Sequence, residues 1–228
     1  MKAQHTLKFW AKYALTHSLP KGAFERLERS RRWRRYRRAG IVFVHVPKAA
    51  GSSITEILYG GRLGHHPATQ LMTECPDDWA ALDKLAVVRD PVSRFLSAYG
   101  FALAAGTKEG AIRWRSEYDR PAYRDANIFV RDYLVQGKIF DKDLIFWPQT
   151  HFVCDSAGRP VSGLQLFTTG QFQAVEEFLE TRGHAAPHWL NRSKPATGLN
   201  LNLSADTLQL LRALYAADFD WFRRLEAA

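Results

Sequence analysis

The chain has 228 residues, 46% hydrophobic and 24% charged, with a formal net charge of +9, which is enough for one substantial core and too little for two. No stretch approaches 18 consecutive apolar residues, and the N-terminus lacks the apolar run of a secretory signal, which argues against a spanning or exported protein. Two distant cysteines, Cys75 and Cys154, make no disulfide framework; the expectation is a reducing, cytoplasmic setting.

The charge is concentrated at the start. Twelve of the 32 basic residues and only Glu25 and Glu28 of the 23 acidic ones fall in residues 1–40, so this segment carries +10 and the remainder −1. Leu7, Trp10, Ala11 and Ala14 fall on one helical face, and Arg31 to Arg38 interleave with Trp33 and Tyr36. Residues 1–39 read as a basic helical extension, and residues 40–228 as the catalytic domain. Such a helix suits an anionic membrane surface, which would make the protein peripheral on the inner membrane face. It also suits a polyanionic glycan, and nucleic acid ranks last. Equally, it is a solvated charged face packed on the core through its aromatics.

Ile41 to Val46 is a short apolar run rich in β-branched residues, the pattern of a buried strand. Pro47 ends it. Lys48, Ala49, Ala50, Gly51, Ser52 and Ser53 then form a small-residue turn, after which Ile54, Ile57 and Leu58 mark a helix face. A strand, such a turn and a helix start together make an anion cradle, with free amides and hydroxyls at the helix N-terminus. In a nucleoside-triphosphate loop the lysine follows the second glycine. Here Lys48 precedes Gly51, at the mouth of the turn, where it can address a bridging or leaving oxygen. No strand-terminal aspartate stands ready to hold Mg²⁺.

His65 and His66 follow in the connection to the next strand. A histidine titrates near neutrality, so the pair are candidates for a general base; Glu56 and His45 are fallbacks. Leu85 to Val88 is a second buried strand. Asp90 suits an N-cap and Pro91 the first helical position, with Val92, Phe95, Leu96, Tyr99 and Leu103 on the packed face. Arg89 is thereby left at the strand end and Ser97 near the second helical turn, both able to address one anion above the sheet edge.

Residues 104–150 mix Trp114, Tyr118 and Tyr123 with Arg113, Arg115, Arg120 and Arg124, a composition fit to read a sugar bearing anionic substituents. A helix is predicted near 125–136, with Ile128, Phe129, Tyr133 and Leu134 inward, then a strand within 163–168 and a helix over 171–183. One closing helix, capped by Ser204, is predicted to run to Leu225. The alternation predicts an α/β fold, a P-loop-like three-layer arrangement with a central parallel sheet flanked by helices.

HVPKAAGSSI and VVRDPVSRFLSAYG resemble the 5′-phosphosulfate loop and the 3′-phosphate motif of sulfotransferases that use 3′-phosphoadenosine 5′-phosphosulfate (PAPS). The wording is closest to the carbohydrate, Golgi-type enzymes and their bacterial relatives, with Ala49 in place of their usual threonine. Weaker likenesses are the stretch from His65 to Leu71, FWPQTHFVCDSAG at 146–158, LNRSKPA at 190–196 and YAADFDWF at 215–222. The resemblance implies that Pro47 to Ser53 hold the 5′-phosphosulfate, Lys48 stabilises the leaving oxygen, and Arg89 with Ser97 clamps the 3′-phosphate. It also implies that Lys194 in the late loop touches that phosphate, that His65 or His66 is the base, and that no metal takes part. Two rivals remain: a Mg²⁺-dependent P-loop kinase, and a non-catalytic polyanion-binding module working through residues 1–40.

Overall fold

The computed structural model describes residues 20–104, 106–107, 110–111, 115–187 and 198–226. In chain order they form α1 (Lys21–Ala39), β1 (Ile41–Val44), α2 (Ser52–Tyr59), α3 (Ala68–Glu74), α4 (Pro76–Ala81), β2 (Asp83–Val88) and α5 (Pro91–Leu103). A small antiparallel pair follows, β3 (Gly106–Thr107) and β4 (Gly110–Ala111), then α6 (Arg115–Tyr118), α7 (Ala126–Phe129), α8 (Thr150–Val153), β5 (Gln165–Thr168), α9 (Phe172–Glu180), α10 (Ala205–Leu214) and α11 (Ala216–Glu226).

The expected mixed α/β architecture is present, around a small parallel sheet in the order β1-β2-β5. Ile41 pairs with Asp83 and Val44 with Ala86, while Val88 pairs with Thr168. All three strands therefore run out at one edge, where open parallel sheets bind ligands. Every residue of β1 is buried, as are Leu85 to Val88, because helices cover the sheet and leave no face for water. The outer edge of β1 would leave backbone groups unpaired. Tyr59 closes it: its hydroxyl accepts from the Phe43 amide at 2.8 Å and donates to the Ile41 carbonyl at 2.9 Å.

Asp90 caps α5 as its sequence predicts, its carboxylate accepting from the Ser93 amide at 2.8 Å, with Pro91 at the first helical position. Phe95 and Tyr99 on its inner face join a second core with Tyr118, Tyr123, Phe129, Phe146, Leu211 and Tyr215. The helix expected near 125–136 is present over 126–134, one α-turn that widens into a π-turn over Val130–Leu134, with Phe129, Tyr133 and Leu134 buried as read. Two expectations need correction. The closing helix is two helices, α10 and α11, broken at Tyr215 (φ −111°, ψ 29°). That break lets the Tyr215 hydroxyl reach the Phe146 carbonyl at 2.6 Å. Finally, Tyr118 and Tyr123 are not an acceptor platform. They are 2% and 3% exposed and pack on Phe129, and the Tyr118 hydroxyl is satisfied by Asp143 at 2.7 Å. Trp114 and Arg113 lie outside the described residues, as does the face drawn through Leu7, Trp10, Ala11 and Ala14.

Helix α1 is docked rather than detached along its second half. Arg32, Trp33 and Tyr36 are buried, and Trp33 and Arg32 both donate to the Glu74 carboxylate. Gly40 ends the helix in the left-handed region (φ 70°) and turns the chain directly into β1. Cys75 and Cys154 are free thiols.

Candidate active site

Between β1 and α2 the chain makes a strained turn. Lys48 and Ala50 have φ of 64° and 61°, a region that costs a residue bearing a Cβ about 1–2 kcal/mol. Strain of this kind persists only where surrounding structure enforces it, and functional loops are its usual home. The turn is enforced from below by Gly51. A Cβ there would meet the buried His45 ring at 2.5 Å and the Phe43 ring at 2.8 Å. Gly51 thus lets the turn settle directly onto the strand it has just left. Helix α2 opens at Ser52 and has no side-chain cap, so the amides of its first turn have no acceptor within the helix. Ser53 and Ala49 are buried, Pro47 is buried and Ser52 is half-buried, packing that fixes the loop backbone.

Lys48 points across to α5, its Nζ 3.9 Å from the Phe101 ring centroid. Phe101 lies one turn beyond Ser97, so the helix face carrying Ser97 is the one beneath the lysine. Burial, then the charges of Arg62 and Arg89, push the Lys48 ammonium down to about 8. Arg89 is itself lowered by burial, with Asp90 opposing. Lys48 thus lies in the field of two arginines from other segments, an environment suited to an anion. Arg62 was missed from the sequence. Its only signal is the glycine-rich setting, Gly60, Gly61 and Gly64 all at positive φ, which shapes a tight loop after α2.

The two candidate histidines occupy different surroundings. His65 places Nδ1 2.8 Å from the His45 carbonyl. A carbonyl only accepts, so Nδ1 carries the proton and Nε2 keeps its lone pair. Burial lowers the His65 pKa, the carbonyl bond opposes, and the neighbouring cations add to the lowering; the ring is neutral at pH 7. His66 accepts from the Arg32 guanidinium at 2.8 Å, with its Nε2 also 3.2 Å from the Leu63 carbonyl, and is committed to holding α1. His45, the fallback, is 7% exposed with its ring 4.2 Å from that of His65, and burial drives its pKa well below the ordinary value. Its Nδ1 is buried without a hydrogen-bond partner among the described residues. Glu56 is exposed on α2.

Arg89 is held by an arrangement its own motif did not announce. The side-chain amide of Gln149, 0% exposed, accepts from the Arg89 amide at 2.9 Å and donates to the Arg89 carbonyl at 2.7 Å, as an extra strand would. Gln149 is fixed in turn by Asp218, whose carboxylate accepts from the backbone amides of Gln149 and Thr150 and from the Thr150 hydroxyl, at 2.8–2.9 Å. Arg94 completes the set, donating to the carbonyls of Ile145 and Trp147 at 3.0 and 2.9 Å and lying 4.0 Å from Asp218. The second motif, the W-P-Q segment and the Y-x-x-D helix therefore meet in one buried network. Lys194 and the rest of the late loop lie outside the described residues. Among the described residues no group of three or more His, Cys, Asp or Glu is placed to hold a metal ion.

A strand-turn-helix after the first strand and a bracketed arginine after its parallel neighbour give a parallel α/β fold with a candidate anion site at its strand ends. Residues 32–223 match the Sulfotransferase family, and the chain belongs to that family. No curated protein and no solved structure matches it. The family match begins at Arg32, within α1, where the helix begins to pack on the core.

Proposed function

We propose that the chain transfers the sulfuryl group of PAPS to a hydroxyl of a carbohydrate or glycoconjugate acceptor. The observation that carries this reading is the strained strand-turn-helix with an uncapped helix start, Lys48 over the α5 face that carries Ser97, and Arg89 bracketed at the end of the neighbouring strand, which together suit a ligand with more than one anionic group. PAPS would supply an activated sulfuryl group on a phosphate leaving group. In this reading the first-turn amides of α2 and the hydroxyls of Ser52 and Ser53 hold the 5′-phosphosulfate, and Arg89 with Ser97 holds the 3′-phosphate. Lys48 donates to the leaving oxygen, where charge develops. His65 takes the acceptor proton at Nε2, its ring oriented by the His45 carbonyl. The resemblance to bacterial relatives supports a cytoplasmic setting.

Titration calorimetry in EDTA with adenosine 3′,5′-bisphosphate, AMP and ATP tests the site. Binding of the bisphosphate much tighter than of AMP, and indifferent to chelation, is the expected result. Equal affinities, or a requirement for Mg²⁺ with ATP preferred, would return the site to the kinase reading. Transfer of labelled sulfate from PAPS to a panel of glycans then tests the acceptor class; labelling confined to non-sugar hydroxyls would overturn it.

A further inference from the structure

We propose that Arg32, on the inner face of α1, is a positioning residue for the base: its guanidinium grips the His66 ring and so holds the neighbouring His65 side chain in the one tautomer that leaves Nε2 free to take a proton. This rests on the sulfuryl-transfer reading above, in which His65 is that base.

Arg32 Nη1 lies 2.8 Å from His66 Nε2. An arginine only donates, so Nε2 keeps its lone pair and the His66 proton sits on Nδ1. The Leu63 carbonyl is 3.2 Å from the same Nε2. A carbonyl only accepts, so it and the guanidinium compete for one nitrogen in opposite tautomers. The ring is also seated closely on Gly64 (φ 91°), where a Cβ would stand 2.9 Å from Nε2. One residue back, His65 Nδ1 donates to the His45 carbonyl at 2.8 Å. Adjacent residues share a rigid peptide plane, so a His66 ring that turns to serve Leu63 moves the backbone from which His65 reaches the strand.

Stability alone does not call for this arginine. Trp33 and Tyr36 already anchor α1 in the core, each 2% exposed, and Trp33 and Gln70 give the Glu74 carboxylate two other donors, at 3.2 and 2.7 Å. Arg32 is itself 6% exposed, and its Nε is buried without a hydrogen-bond partner among the described residues. A buried ion pair with an orphaned polar atom gains little over apolar packing of the same volume. What a guanidinium fork adds is direction, because its planar donors fix two acceptors at once: one arm goes to Glu74 and the other to His66. Burial and the Arg32 charge lower the His66 pKa, with Glu74 and hydrogen bonds to Gln70 and Leu63 opposing, so at pH 7 the ring is neutral and remains an acceptor for that arm.

The test compares Glu74→Gln, which keeps an acceptor for Arg32, with a full chain carrying both Arg32→Met and Glu74→Gln, which loses the arm to His66 without leaving a buried carboxylate unpaired. Nitrogen-15 spectra of the imidazole rings at neutral pH read the tautomers directly. The parent and Glu74→Gln are expected to show a protonated Nδ1 at both His65 and His66. In the double variant the His66 proton should move to Nε2, toward Leu63, and His65 should become a mixture of tautomers. Its kcat for PAPS cleavage, with the glycan panel as acceptors, should fall about tenfold, with affinity for adenosine 3′,5′-bisphosphate unchanged and Glu74→Gln keeping the parent's kcat. A double variant whose His65 retains the single tautomer overturns the proposal, as does Glu74→Gln reproducing the whole change by itself. A loss of bisphosphate affinity as large as the loss in kcat would also overturn it, since a loosened fold weakens both. A parent that cleaves no PAPS would strike the sulfuryl-transfer reading, and the tautomers would still decide whether Arg32 sets the His65 ring.

Discussion

Lys48 is where the proposed chemistry and the energetics of this protein meet. Its ammonium is held down to about 8 by burial and by two arginines, so below that pH the folded protein carries a charge it would be more stable without. Between about 8 and the ordinary lysine value near 10.5, the unfolded chain binds the proton more readily, so this group's penalty is relieved as pH rises through that window. Lys48→Met is therefore expected to raise the thermal midpoint of the ligand-free protein at pH 7, with the gain fading toward pH 10, while turnover falls by about 10²–10³-fold. A bound anion restores the proton. Binding of adenosine 3′,5′-bisphosphate near pH 8–9 should take up a proton, seen as a buffer-dependent heat in calorimetry, and affinity should weaken as pH rises; a Lys48→Met protein showing the same buffer dependence would dismiss the lysine as its source. Burial lowers His65 as well. Its pKa lies below the usual 6.5, so the neutral base persists into mild acid and kcat should fall only at a pH below that value. His65→Ala should cost about 10²–10⁴-fold in kcat, and His66→Ala far less; the reverse order in single-turnover rates would exchange their roles.

At the scale of elements, the turn 47–51 and the segment around Gln149 do the positioning. Gly51→Ala must drive a methyl into His45 and Phe43, an overpacking cost of about 1–3 kcal/mol, with the His45 carbonyl that orients His65 displaced as well. Urea denaturation and kcat should both register it. Gln149→Ala leaves the Arg89 backbone without its two buried partners, a loss of about 1–3 kcal/mol. If the bracket sets the arginine's place, affinity for the bisphosphate falls much more than affinity for AMP. An equal loss for both ligands would make Gln149 a purely structural residue. The cradle was legible in the sequence because its signals are local: β-branched run, proline, small residues, amphipathic helix. So was the N-cap at Asp90. The Gln149 bracket was not, because a P-Q dipeptide carries no periodicity, and its meaning lies in a partner 60 residues away. The aromatic and basic run after Arg113 misled for a related reason. Composition allows Tyr118 and Tyr123 to meet either a sugar or other rings, and only the packing of Phe129 and Tyr133 against both settles which.

For the whole molecule, the placement of α1 decides how much of the chain the catalytic unit needs. Trp33 and Tyr36 are each 2% exposed and belong to the same core as β1 and β2. Trp33→Ala should cost about 3–5 kcal/mol, measured by chemical denaturation, and a chain starting at residue 40 should lose cooperative unfolding; a fragment 40–228 as stable as the parent would make α1 dispensable to the fold. No helix among the described residues is long and apolar enough to cross a membrane.

The sequence by itself determined the strand-turn-helix pair, the early lysine, the arginine at the second strand's end and the family they indicate, because each depends on neighbours within a dozen residues. Tertiary structure alone decided that His65 and His66 differ, one oriented by a strand carbonyl and the other held by Arg32. It also decided that the motif fragments around 94, 149 and 218 form one buried network. These are contacts across long loops, selected by burial, and polar groups removed from water must find each other wherever the chain brings them together.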